Sequence, residues 1–102
     1  LLELGGNNAV IATDSANLDI ALPSILFGAV GTAGQRCTTT RRVFVHKKIH
    51  DILFSKLKNA YESIGKNKVG NPLDKKTLVG PLIDSASFDS MQNALKRARE
   101  EG

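Results

Sequence analysis

Gly5-Gly6-Asn7-Asn8-Ala9-Val10-Ile11-Ala12-Thr13-Asp14 is the stretch from which the fold can be read. Two glycines lead into Asn8–Ala12, a short and almost continuous apolar run, and Asp14-Ser15 follows as a turn or helix-capping pair. A run of that length between turn formers suits a strand buried on both faces, as in a parallel sheet. Downstream, Leu18, Ala21, Leu22, Ile25, Leu26 and Ala29 recur at helical spacing and predict a helix over about 17–30. Pro23 falls inside it. A proline there removes a backbone donor, which predicts a first turn, a kink and then the main helix. Gly28, Gly31 and Gly34 then close the helix before Cys37.

Val43-Phe44-Val45 reads as a second buried strand, between Arg41-Arg42 and His46. A single stripe, Ile49, Ile52, Leu53, Leu57, Ala60, Tyr61 and Ile64, marks the clearest helix, with Gly65 placed to stop it. Residues 66–83 are rich in turn formers, and Asp84 is placed to cap a last helix with the stripe Phe88, Met91, Leu95 and Ala98. The order strand, helix, strand, helix, loop, helix implies an α/β layer architecture with parallel strands and flanking helices. Two short strands do not make a self-sufficient sheet. Further strands are expected outside this chain, and without them the chain should expose apolar patches and self-associate.

With 102 residues, 41% apolar and 24% charged, the chain has the size and composition of one small globular domain. No apolar run approaches the roughly 20 residues a membrane-spanning helix needs. The start, Leu1-Leu2-Glu3-Leu4-Gly5, has no initiator Met and no basic segment, so it reads as a chain entered mid-domain rather than a signal peptide. The single cysteine excludes an internal disulfide framework. The net charge of +4 is uneven: residues 1–40 carry Glu3, Asp14 and Asp19 against Arg36, and the basic excess lies in residues 41–102. Those lysines are scattered over helical faces among few aromatics, the pattern of a solvated surface rather than a nucleic-acid interface. His46 and His50 straddle a strand–helix junction with no third ligand, so no metal site is expected.

Glu3 and Cys37 carry the chemistry. They lie thirty-four positions apart, each in a glycine-marked segment: Leu2-Glu3-Leu4-Gly5-Gly6 and Gly34-Gln35-Arg36-Cys37-Thr38. A lone cysteine is more often an inert buried residue. Here Arg36 and the run Thr38-Thr39-Thr40 make its surroundings polar, and a neighbouring guanidinium favours the reactive thiolate. A thiolate adding to an aldehyde makes a thiohemiacetal whose oxyanion needs donors such as backbone N–H groups. Loss of hydride leaves a thioester, and its hydrolysis needs a general base such as a glutamate. Taken singly, Glu3 is an ordinary surface carboxylate and Gly5-Gly6 only a permissive turn. No G-x-G-x-x-G fingerprint stands in a strand–turn–helix setting.

Taken together, the segments Leu2–Asn8, Phe27–Thr40, Arg42–His46, Val69–Pro72 and Gly80–Ile83 resemble the catalytic domain of the NAD(P)-dependent aldehyde dehydrogenases, along essentially the whole chain. The resemblance implies a three-layer α/β segment, with Cys37 as nucleophile, its backbone N–H in the oxyanion hole and Glu3 as the base for deacylation. It implies Leu4 and Gly5 beside the nicotinamide, and Thr38 with Arg36 towards the substrate. The cofactor implied is NAD, with NADP possible. The partner implied is a small aldehyde, with no nucleic acid and no membrane, in a homotetrameric parent enzyme of the cytoplasm or mitochondria. Asn7-Asn8, where most members have lysine after the glycines, and Gly31–Thr39 resemble the antiquitin branch, the α-aminoadipic semialdehyde dehydrogenases. In that branch Arg36 is implied to meet a substrate carboxylate; the alternative is that it sets the loop. A full member is several times longer, so residues 1–102 are expected to be a partial catalytic domain without the cofactor-binding domain and oligomerisation hairpin, and inactive alone. The competing readings are a non-catalytic fragment with a structural or interaction role, and a basic module for an acidic partner.

Overall fold

The computed structural model describes residues 1–102. Leu1–Asn7 have no regular structure. Strand β1 is Asn8–Ala12, helix α1 Leu18–Val30, strand β2 Thr40–Val45, helix α2 His50–Asn67 and helix α3 Ser85–Glu101. A one-turn helical segment, Gly31–Gly34, joins α1 to the loop before β2. β1 and β2 pair in parallel, as the β–α–β order requires. The pairing slips once: Asn8 faces Thr40 but Ala9 faces Arg42, leaving Arg41 as an extra residue at the start of β2.

Ala12, Ile25 and Leu53 form the buried centre, one each from β1, α1 and α2. Val10, Val43 and Val45 pack against it from the strands, and Leu18, Ala21, Leu22, Ile49 and Leu57 from the helices and the turns that lead into them. Both helices therefore cover the same face of the sheet. The strands were expected to be buried on both faces, yet Ile11 is 75% and Phe44 54% exposed. Within these residues the second face has nothing packed on it, so two layers of the α/β arrangement are present.

Helix α1 runs as one element through Pro23, which lies on its exposed side. The helix continues from its first turn through Pro23 without interruption. Its N-cap is Asn17, whose side chain accepts from the Asp19 N–H at 3.0 Å, and not the Asp14-Ser15 pair, which forms a turn. Helix α2 continues past Gly65 to Asn67, because the Lys68 N–H still reaches the Ile64 carbonyl at 2.9 Å. Helix α3 is capped by Asp84, as its sequence predicts, but buries no residue. In the turn-rich stretch between α2 and α3, Val69 and Val79 form a single parallel bridge. No helix is long and apolar enough to cross a membrane.

Candidate functional site

Cys37 stands at the corner of a tight turn, Arg36–Thr39. The Thr39 N–H donates to the Arg36 carbonyl at 3.1 Å, and the Arg36 N–H donates to Thr39 Oγ1 at 3.1 Å, so the turn is tied from both ends. Thr39 is the one buried polar residue of the chain. Across a trans peptide the carbonyl and the following N–H point in opposite directions. With the Arg36 carbonyl turned towards Thr39, the Cys37 N–H points out of the turn, and no hydrogen bond within the chain uses it. The thiol is exposed. A free N–H beside a free thiol is the geometry in which one residue both attacks a carbonyl and stabilises the resulting oxyanion.

The approach to this turn is strained. Thr32, Ala33 and Gly34 have φ of 51°, 55° and 73°, three consecutive left-handed residues. Glycine takes that conformation freely, but a side-chain-bearing residue does so at a cost of roughly 1–2 kcal/mol, and a β-branched one is a true outlier. Gln35 holds the segment from outside: its N–H and its Nε2 both donate to the Thr32 carbonyl at 3.1 Å, and its Oε1 accepts from the Ile83 N–H at 2.8 Å. Arg36 holds it from beneath. Its guanidinium lies 5.2 Å from the Phe27 ring centroid and donates to the Phe27 carbonyl at 3.3 Å, at the negative end of α1. A Cβ at Gly31 would strike it. In this structure the guanidinium is therefore bound to the loop itself. Its Nε is buried without a partner.

Asn8 joins the two candidate segments. Its Nδ2 donates to the Cys37 carbonyl at 2.6 Å and to the Thr39 carbonyl at 3.0 Å. Gly6, two residues earlier, passes so close to the Cys37 carbonyl that any Cβ would collide with it. The segment bearing Glu3 is thus laid against the cysteine turn. Glu3, Leu4 and Gly5 are all exposed on the stretch before β1, and the Glu3 carboxylate makes no hydrogen bond or ion pair. A Cβ at Gly5 would meet nothing within 4 Å, so the Leu4-Gly5 backbone is open to a flat group. Thr38 is exposed at the other corner of the turn.

Asn8, Thr39 and Gln35 read in the sequence only as parts of motifs, with no role of their own in holding the turn. Asn8 left one faint signal, as the second amide of a pair directly after two glycines. His46 accepts from the Lys48 N–H and His50 pairs with Asp51 at 2.8 Å, and no three metal-ligating side chains gather anywhere.

Comparison with known proteins agrees along the whole chain. The family model described as the aldehyde dehydrogenase family matches residues 1–102. The α-aminoadipic semialdehyde dehydrogenase of Rattus norvegicus is 54% identical over 102 residues, which is 100% of this chain and 18% of that protein. The crystal structure of HpcC from Thermus thermophilus superposes with a TM-score of 0.92 at 32% identity, over 98% of this chain and 19% of that one. The betaine aldehyde dehydrogenase of Staphylococcus aureus in complex with NAD+ gives 0.88 at 32% identity, over 98% and 19%. The chain therefore spans about a fifth of the length of the relatives it matches.

Proposed function

The chain belongs to the aldehyde dehydrogenase family, and from that premise we propose that the protein bearing these residues oxidises an aldehyde to a carboxylate, with Cys37 as nucleophile and Glu3 as the base that activates water. A semialdehyde such as α-aminoadipic semialdehyde is the substrate favoured by the likeness to the rat enzyme. Residues 1–102 form part of the catalytic domain of a longer chain, inactive alone, whose cofactor-binding domain and oligomerisation hairpin lie elsewhere; the whole enzyme is a homotetramer of the cytoplasm or mitochondria.

The observation that carries the reading is the bridge from Asn8 to the Cys37 carbonyl, which lays the Glu3 segment against the cysteine turn. The Cys37 thiolate adds to the aldehyde carbonyl carbon, and its free N–H donates to the oxyanion that forms. Collapse of that oxyanion with loss of hydride leaves a thioester on Sγ. A nicotinamide, NAD or alternatively NADP, supplies the hydride acceptor when bound, and the open Leu4-Gly5 backbone fits its flat ring. Glu3 then takes a proton from water as the water attacks the thioester, releasing the acid and the thiolate. Thr38, exposed at the corner of the turn, faces the substrate; for Arg36 to meet a second carboxylate, as a guanidinium suits, it would first have to leave the Phe27 carbonyl that it binds here.

NADH formation by the full-length protein with α-aminoadipic semialdehyde tests this. Cys37→Ser should lower the rate at least about 1,000-fold, as loss of a nucleophile does elsewhere. A rate within tenfold of the parent would remove Cys37 from the mechanism.

A further inference from the structure

The turn that presents Cys37 is not held by its own bonds alone. Within the turn, Thr39 closes both ends of Arg36–Thr39, but those bonds leave the Cys37–Thr38 peptide, whose oxygen is the Cys37 carbonyl, free to rotate. Only Asn8 reaches that carbonyl. One amide group donates to the oxygens of Cys37 and Thr39 at 2.6 and 3.0 Å, across a sequence separation of 29 and 31 residues. An amide NH2 offers two hydrogens, one for each carbonyl, so the bridge uses its full donor capacity. Asn8 is itself fixed, because it opens β1 and pairs with Thr40 immediately before the register slip at Arg41. That slip brings the end of the cysteine loop level with the start of β1.

Resting on the reading of Cys37 as nucleophile, we propose that Asn8 is a positioning residue for it: by bridging the Cys37 and Thr39 carbonyls it locks the Cys37–Thr38 peptide, and so holds the thiol in one geometry beside the N–H that the turn itself orients. Gly6 completes the device from the same segment, since its lack of a side chain lets the backbone close on the Cys37 carbonyl. Without the bridge the peptide plane turns, and the thiol samples directions that do not meet a substrate held by the N–H. Misplacement by about 1 Å costs on the order of 100-fold in rate.

The test uses the full-length protein with Asn8→Leu, which keeps the shape and removes the donors, and Asn8→Ala. Two readouts are taken beside the thermal midpoint: kcat and KM for the aldehyde, and the rate at which iodoacetamide alkylates Cys37. The expected result is a folded protein in which kcat falls about 100-fold, KM changes less than about threefold and the alkylation rate changes by more than threefold. Folded variants with kcat and alkylation at parental values would overturn the proposal, and so would loss of folding in both variants, which assigns Asn8 a purely structural role. The underlying reading fails separately. If Cys37→Ser keeps its activity the nucleophile is wrong, whereas an inactive Cys37→Ser beside fully active Asn8 variants condemns the positioning role alone.

Discussion

Residues 8–67 and residues 68–102 are held by different forces. In the first region β1, α1 and α2 converge on Ala12, Ile25 and Leu53, and the helices tolerate locally poor sequence: α1 carries Pro23 within its length. In the second region α3 buries nothing and is formed by local devices. The Asp84 carboxylate caps its first turn, and Lys96–Glu100 and Arg97–Glu101 pair one turn apart near its end. Tertiary packing makes α1; sequence propensity makes α3. The cysteine turn belongs to the first region, through Asn8 and Thr39, with one tie to the second from the Ile83 N–H to Gln35.

Substitutions should separate the two regions. Leu53→Ala empties the most buried position, with 0% exposure, and should lower the stability of the first region by about 2–5 kcal/mol. Hydrogen exchange would show the slowest amides of β1, β2 and α2 exchanging faster, while those of α3, which open locally, change little. Equal acceleration in α3 would mean that the two regions unfold together.

Thr32→Gly has a smaller effect of opposite sign. Glycine relieves the left-handed strain at φ 51°, and denaturant unfolding should show a gain of about 1 kcal/mol. A loss would mean that the hydrogen bond from Thr32 Oγ1 to the Gly31 carbonyl outweighs the strain.

The smallest effect is confined to α3. Its cap holds the Asp84 carboxyl below the usual value, chiefly through the hydrogen bond from the Ser87 N–H at 2.7 Å. A depressed folded pKa contributes stability above the unfolded value, near 3.8, that is lost as pH falls through the folded one. The protection of the amides in the first turn of α3, taken relative to their intrinsic exchange rates, should therefore fall on acidification below that value, and Asp84→Asn, which keeps a cap without the charge, should remove that pH dependence. An unchanged dependence would assign it to another group.

Much of this was legible in the sequence because it depends on local pattern. Apolar runs, helical stripes and Asp84 gave the element order, and the spacing of Glu3 and Cys37 pointed to the two segments that Asn8 ties together. What was not legible depends on long-range geometry. Apolar strands signal burial without naming the face, and α1 and α2 share one face, so Ile11 and Phe44 lie open. Gly65 carries a stop signal that the bond from Lys68 to Ile64 overrides. Thr32 and Ala33 have no propensity for positive φ; Gln35 and Arg36 impose it from outside. Asn8 reads as a strand residue until its amide is seen on two carbonyls some thirty residues away.

The most direct test of the central claim is the mass of the Cys37 peptide from full-length Glu3→Gln, quenched during turnover with aldehyde and NAD+. The account predicts an acyl group in thioester linkage on Cys37, accumulating because its hydrolysis has lost its base while its formation has not. An unmodified Cys37 peptide in a variant that still completes one turnover of NADH would contradict it.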